Sequence, residues 1–125
     1  MPKFVLIIEK EKGKLWGRLT CNDNLIIDYA ANVPALEKKM AKLLKDFHGV
    51  QKATFERNYD LTAFFEHFDF LKQSKIAELA GVNQALLRQY ASGVKYPSAD
   101  QARKIEKAVH DLAKELQSIS LYTEA

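Results

Sequence analysis

The stretch "QSKIAELAGVNQALLRQYASGVKYPS", residues 73–98, constrains the fold of this chain more than any other. Two short apolar-periodic segments flank Gly81, and the small Ala77 stands one helical turn before it. Ala77 admits a neighbouring helix at close range, and Gly81 can take the left-handed backbone conformation that a tight turn between helices demands. Val82 and Leu87 then fill the angle between the helices, with Tyr90 as the second buried residue of the latter helix. Asn83 is placed to cap that helix, and Ser98 with Gln101 forms a capping box for the next. Gln84, Ala85, Arg88 and Gln89 are left pointing outward, with Leu86 at the margin. An amide can pair bidentately with adenine and a guanidinium with guanine, so the outward face carries groove-reading chemistry. The spacing predicts a helix-turn-helix; its plain alternative is a helical corner whose polar face is merely solvated.

Around this stretch the second half reads as helical throughout. Asp60 is positioned to cap a helix carrying Leu61, Phe64, Phe65 and Phe68. The "QSKIAELA" helix turns Ile76, Ala77 and Ala80 inward. After Ser98, the residues Ala102, Ile105, Val109, Leu112, Leu116 and Ile119 recur at threes and fours, a narrow seam suited to a partner helix. Ile105, Val109, Leu112, Leu116 and Ile119 are therefore the candidate dimer interface.

The first half changes period. "KFVLIIEK" is a nearly continuous apolar run with β-branched residues and predicts a buried strand. "EKGK" supplies a hairpin turn, and "LWGRLTC" returns with Leu15, Gly17, Leu19 and Cys21 on one parity. "NDN" turns the chain again into "LIIDYA". Asn32 and Pro34 then mark a helix start, and Gly49 its end. Val33, Leu36, Met40, Leu43, Leu44 and Phe47 form its apolar stripe, opposite Lys38, Lys39, Lys42 and Lys45. "KATFERNY" predicts a fourth strand. The expected class is α+β: a β-β-β-α-β domain over residues 1–58, read as an antiparallel meander with a helix on one face, then an all-α domain over 59–125.

Charge narrows the function. Residues 1–60 hold 11 Lys+Arg against 8 Asp+Glu, and residues 61–125 hold 8 against 8, so the helical half is neutral. A DNA-binding reading must rest on where the cations sit, because the total supplies no basic footprint. No apolar run approaches the roughly 20 residues of a membrane span, and the N-terminal apolar run is too short for a signal peptide. The lone Cys21 fits a small buried side chain in a reducing cytoplasm.

The stretch opening this section resembles the Cro/repressor (XRE) class of helix-turn-helix, whose pattern runs through Gln, Ala, Gly, an apolar turn residue, a recognition helix, and Gly followed by Pro-Ser. The wider span "YDLTAFFEHFDFLKQSKIAELAGVNQALLRQYASGVKYPSADQARKIEKAVHDLAKELQSISL" is similar to the C-terminal part of HicB-type antitoxins. The β-β-β-α-β half resembles their partial RNase H-like domain, with "CNDN" standing where many of them carry a Pro- and Gly-containing segment. The resemblance implies Gln73, Gln84, Ala85 and Gln89 as groove-side positions and Arg88 as a base or phosphate contact. Ser92 and Lys95 are implied as phosphate contacts, and Asn83 at the head of the helix is counted with them. It further implies double-stranded operator DNA and a small HicA-like RNase toxin as partners, with the chain acting as autorepressor in a homodimer or higher even oligomer.

Enzymatic chemistry has little footing. Two-metal nuclease action needs converging carboxylates holding cations about 4 Å apart. Glu9, Asp28, Glu37 and Glu56 are the available acids, and the middle of the first strand, "VLII", is wholly apolar. His48, His67 and His110 lack ligand spacing, so neither metal nor cofactor is expected. The Lys face of the first helix reads as solvated. Trp16, opposite in parity to the core positions of its strand, is a candidate for burial against a second subunit or toxin. Two functions remain: a dimeric DNA-binding antitoxin, or an interaction module whose helix-turn-helix docks on protein.

Overall fold

The computed structural model describes residues 2–124. The chain is α+β and divides into two compact units, Met1–His67 and Phe68–Ala125. The first contains β1 (Lys3–Glu11), β2 (Lys14–Cys21), β3 (Asn24–Ala30), α1 (Val33–His48), β4 (Thr54–Tyr59) and α2 (Leu61–His67). The second contains α3 (Gln73–Ala80), α4 (Gln84–Ser92) and α5 (Ala99–Ser118). The division falls after α2, later in the chain than the 58/59 boundary expected from the change of period.

Four strands form one sheet in the order β3-β2-β1-β4. Both hairpins turn through two residues at positive φ, Lys12 (52°) with Gly13 (76°) and Asn22 (50°) with Asp23 (65°). Such mirror-image turns match the right-handed twist of paired strands. The sheet is mixed, which departs from the antiparallel meander expected from sequence: β4 runs parallel to β1, with Leu6 opposite Arg57 and Ile8 opposite Tyr59. The α1 crossover is the cause, since it carries the chain back along the sheet before β4 begins.

Helix α1 starts where Asn32 Oδ1 accepts the Ala35 N–H at 2.8 Å, and it ends on Gly49 at φ 68°. Its buried stripe, Val33, Leu36, Met40 and Leu44, lies on Leu6, Ile8, Leu19 and Cys21 of the sheet. Gly17 permits the approach, because a Cβ there would stand 2.7 Å from Leu36 Cδ2. Phe47 departs from the expected stripe and is 76% exposed. It follows half-buried Leu43 by one turn and so extends the flank of the stripe, off the line of Leu36, Met40 and Leu44.

In the second unit α3 packs against both α4 and α5. Ile76, Ala77, Val82, Leu87, Tyr90, Ile105 and Ala108 are its buried apolar side chains. Gly81 adopts φ 70° and the Val82 N–H reaches back to the Ala77 carbonyl at 2.9 Å, closing α3 tightly enough to bury Val82. Helix α5 begins at Ser98, whose Oγ accepts the Gln101 N–H at 3.2 Å.

Candidate nucleic-acid interface

The side chains expected to read a groove lie on α4 and at its two ends. Asn83 Oδ1 accepts the Leu86 N–H at 3.1 Å, so Asn83 caps α4 with its acceptor and keeps only its amide N–H groups for an outside partner. Leu87 and Tyr90 are buried and anchor one side of the helix. Gln84, Ala85, Arg88 and Ser92 are exposed, and steps of three and four residues place them on one opposite face. Gln89 and Leu86 flank that face half-buried. Gln73 is half-buried at the first position of α3. Lys95 stands exposed in the loop after α4.

Electrostatics separates these cations from their neighbours. Lys75, Arg103 and Lys107 pair within their own helices with Glu78, Asp100 and Asp111 at 3.3, 2.6 and 2.7 Å. The Lys107 hydrogen bond holds the Asp111 carboxyl below its ordinary range. Arg88 and Lys95 have no ion-pair partner among the described residues, a state they share with Lys72, Lys104 and Lys114. Two free cations beside an amide-bearing face offer phosphate and base-edge contacts despite the neutral sum of the helical half. Ser92 Oγ donates to the Gln89 carbonyl at 3.2 Å, a bond its hydroxyl must exchange to reach a phosphate.

Two further side chains stand beside this face. Val94 and Tyr96, either side of Lys95, are 70% and 76% exposed. Their signal was available: apolar residues between Gly93 and Pro97 have no helical period to carry them into a core.

The α5 seam divides. Ile105 is 2% exposed and belongs to the unit's own core beside Ala108, so it has no surface left for a subunit interface. Val109 and Leu112 are half-buried, and Leu116 and Ile119 are 57% and 56% exposed. The seam's C-terminal part therefore lies open.

The four acids weighed for nuclease chemistry are each engaged by a cation. Glu9 accepts from Arg18 at 2.8 Å, and Glu37 accepts from Arg57 through both oxygens at 2.8 and 2.9 Å. Those hydrogen bonds push the Arg57 guanidinium still further up from its already high pKa. Asp28 faces Lys39 at 3.9 Å and Glu56 faces Lys3 at 3.7 Å. Among the described residues no cluster of His, Cys, Asp or Glu has the makings of a metal site, and no helix is long and apolar enough to cross a membrane. No family model, curated protein or solved structure matches the chain.

Proposed function

We propose that the chain is a DNA-binding autorepressor of the antitoxin type, with α4 as its groove-reading helix. The observation that carries this reading is the exposed face of Gln84, Ala85, Arg88 and Ser92, with the cation Arg88 in it and the cation Lys95 in the loop that follows α4. In it, Gln84 and Gln89 pair with base edges, Arg88 contacts a base or phosphate, and Ser92 and Lys95 hold the backbone. Gln73 and the Asn83 amide contact the duplex at the head of each helix. The β-β-β-α-β unit, read by resemblance as a partial RNase H-like domain without catalytic function, neutralises a small RNase toxin. Val109, Leu112, Leu116 and Ile119 join two copies so that two α4 helices reach one operator. An intracellular, cytoplasmic setting follows from these partners.

A second reading has its own support. Leu86 borders the outward face of α4, and Leu79 of α3 is 61% exposed, as on a helix pair that docks on protein. Anisotropy titrations against the DNA upstream of the gene decide between the two. Gln84→Ala is expected to lose affinity for that DNA, by about 1–3 kcal/mol of discrimination, with binding to unrelated DNA unchanged. Lys95→Ala is expected to weaken both alike and reduce the salt slope by roughly one unit. If both variants bind like the parent, α4 is not in the groove and the protein-docking reading takes its place.

A further inference from the structure

The face of the sheet turned away from α1 is open. Register puts Val5, Ile7, Trp16, Leu25, Ile27 and Tyr29 on it, for Ile7 stands opposite Arg18, Arg18 opposite Ile27, and Trp16 opposite Tyr29. Val5, Leu25, Ile27 and Tyr29 are 47%, 60%, 53% and 43% exposed. The Trp16 and Tyr29 rings meet at 5.0 Å, forming an aromatic ledge beside the aliphatic residues. Four strands about 4.8 Å apart and some seven residues long make a face of roughly 19 by 24 Å. Its apolar part lies on β1, β2 and β3, bordered by Lys3, Glu9, Arg18 and Glu56, and an exposed apolar patch rimmed by charged residues marks an interaction site.

Its charges identify the occupant. The cations Arg18 and Lys3 are matched by Glu9 and Glu56 on the same face, so its charge is balanced and lacks the cation excess that a phosphate backbone needs, which directs the face towards protein. Along β1 the residues on this face are Lys3, Val5, Ile7 and Glu9. That order is self-complementary. A copy turned through a two-fold axis lying across the strand sets Lys3 over Glu9 and Val5 over Ile7, each contact occurring twice, as a two-fold interface requires. At the β3 edge the Tyr29 N–H is held by Asp28 Oδ1 at 2.8 Å and its carbonyl by Lys39 Nζ at 2.7 Å. Both groups are thereby withheld from a new strand.

We infer that two copies of this chain associate through these sheet faces, packed about 10 Å apart with their β1 strands antiparallel. Roughly 450 Å² per copy, about 900 Å² in all, is smaller than a standard specific interface, so the contact is a weak, reversible one. It goes beyond the DNA-binding reading and lies on a different unit from α4 and α5, so either can fail without the other. A Trp at position 16 is the only one in the chain and lies on the face itself. The test is mass by light scattering and Trp16 emission, followed together as the full chain is diluted from about 100 to 1 μM. Emission is expected to shift to the red as the mass halves. Ile27→Lys should hold Trp16 in its dilute-state emission at every concentration and remove the corresponding step in mass. Lys3→Glu, an exposed change that leaves the apolar face intact, should raise the midpoint several-fold. Leu112→Glu should leave the emission shift in place. A flat Trp16 emission, or an emission shift and mass step that survive Ile27→Lys, would overturn the inference.

Discussion

Asp60 joins a strand to a helix through one carboxylate. Oδ1 accepts the Ala63 N–H at 2.7 Å at the start of α2, and Oδ2 lies 3.4 Å from the Lys10 N–H of β1. Burial pushes its pKa above the ordinary 3.8, and the two backbone N–H groups pull it part of the way back. A carboxyl with a raised folded-state pKa favours the fold in its protonated form. Its contribution is full below the unfolded pKa and is lost as pH rises through the folded one. Asp60→Ala removes the cap and is expected to cost about 1 kcal/mol, whereas Asp60→Asn keeps an acceptor and should cost less. Thermal melts of both variants check this, along with a flatter pH dependence of stability for Asp60→Asn from the ordinary carboxylate value upward. Equal melting of Asp60→Ala and the parent would refute the capping role.

At the scale of elements, the contact between α1 and β2 depends on Gly17. Leu36 is wholly buried between Gly17 and the rest of the core, so its methyls have no open space into which to retreat from a new Cβ. Gly17→Ala is therefore expected to destabilise the first unit by about 1–3 kcal/mol, the usual range for overpacking. Chemical denaturation measures it, and an unchanged midpoint would mean that α1 shifts freely on the sheet. Helix α5 shows the converse. Its N-terminal half is fastened by Ile105 and Ala108, while Leu116 and Ile119, at its C-terminal end, are largely exposed. Leu112→Glu would bury an unpaired charge in a subunit contact, so it should weaken that association. A mass identical to the parent's across the micromolar range would remove α5 from the assembly.

For the molecule as a whole, the proposed reading puts pairing at α5 and DNA contact at α4 in the second unit. With Arg88 on α4 and Lys95 just after it as the proposed cationic contacts, one copy brings few phosphate contacts, and a single half-site should bind poorly. The expected operator is an inverted repeat with centres about one helical turn, or a multiple, apart. Footprinting of the upstream DNA tests this, and protection of one unrepeated site would contradict it. The purified chain is also expected to show no metal-dependent nuclease activity. RNA cleavage that vanishes in Glu9→Gln or Glu56→Gln would overturn that assignment.

Local chemistry was legible from sequence wherever a residue acts on its immediate neighbours. Asn32, Asn83 and Ser98 cap the helices they precede, Gly49 and Gly81 end those they follow, and the parity of Leu19 and Cys21 gives the inner face of β2. Each of these depends on φ, on a hydrogen bond three residues away, or on the two-residue period of a strand. What required tertiary structure was everything set by a distant partner. The parallel pairing of β4 with β1 depends on where the α1 crossover delivers the chain. Ile105 and Leu116 share one sequence pattern, yet the first is buried and the second open, because packing against the rest of the unit ends partway along α5. Arg88 and Arg103 are the same residue type on neighbouring helices. Only their surroundings make one a free cation and the other half of an ion pair with Asp100.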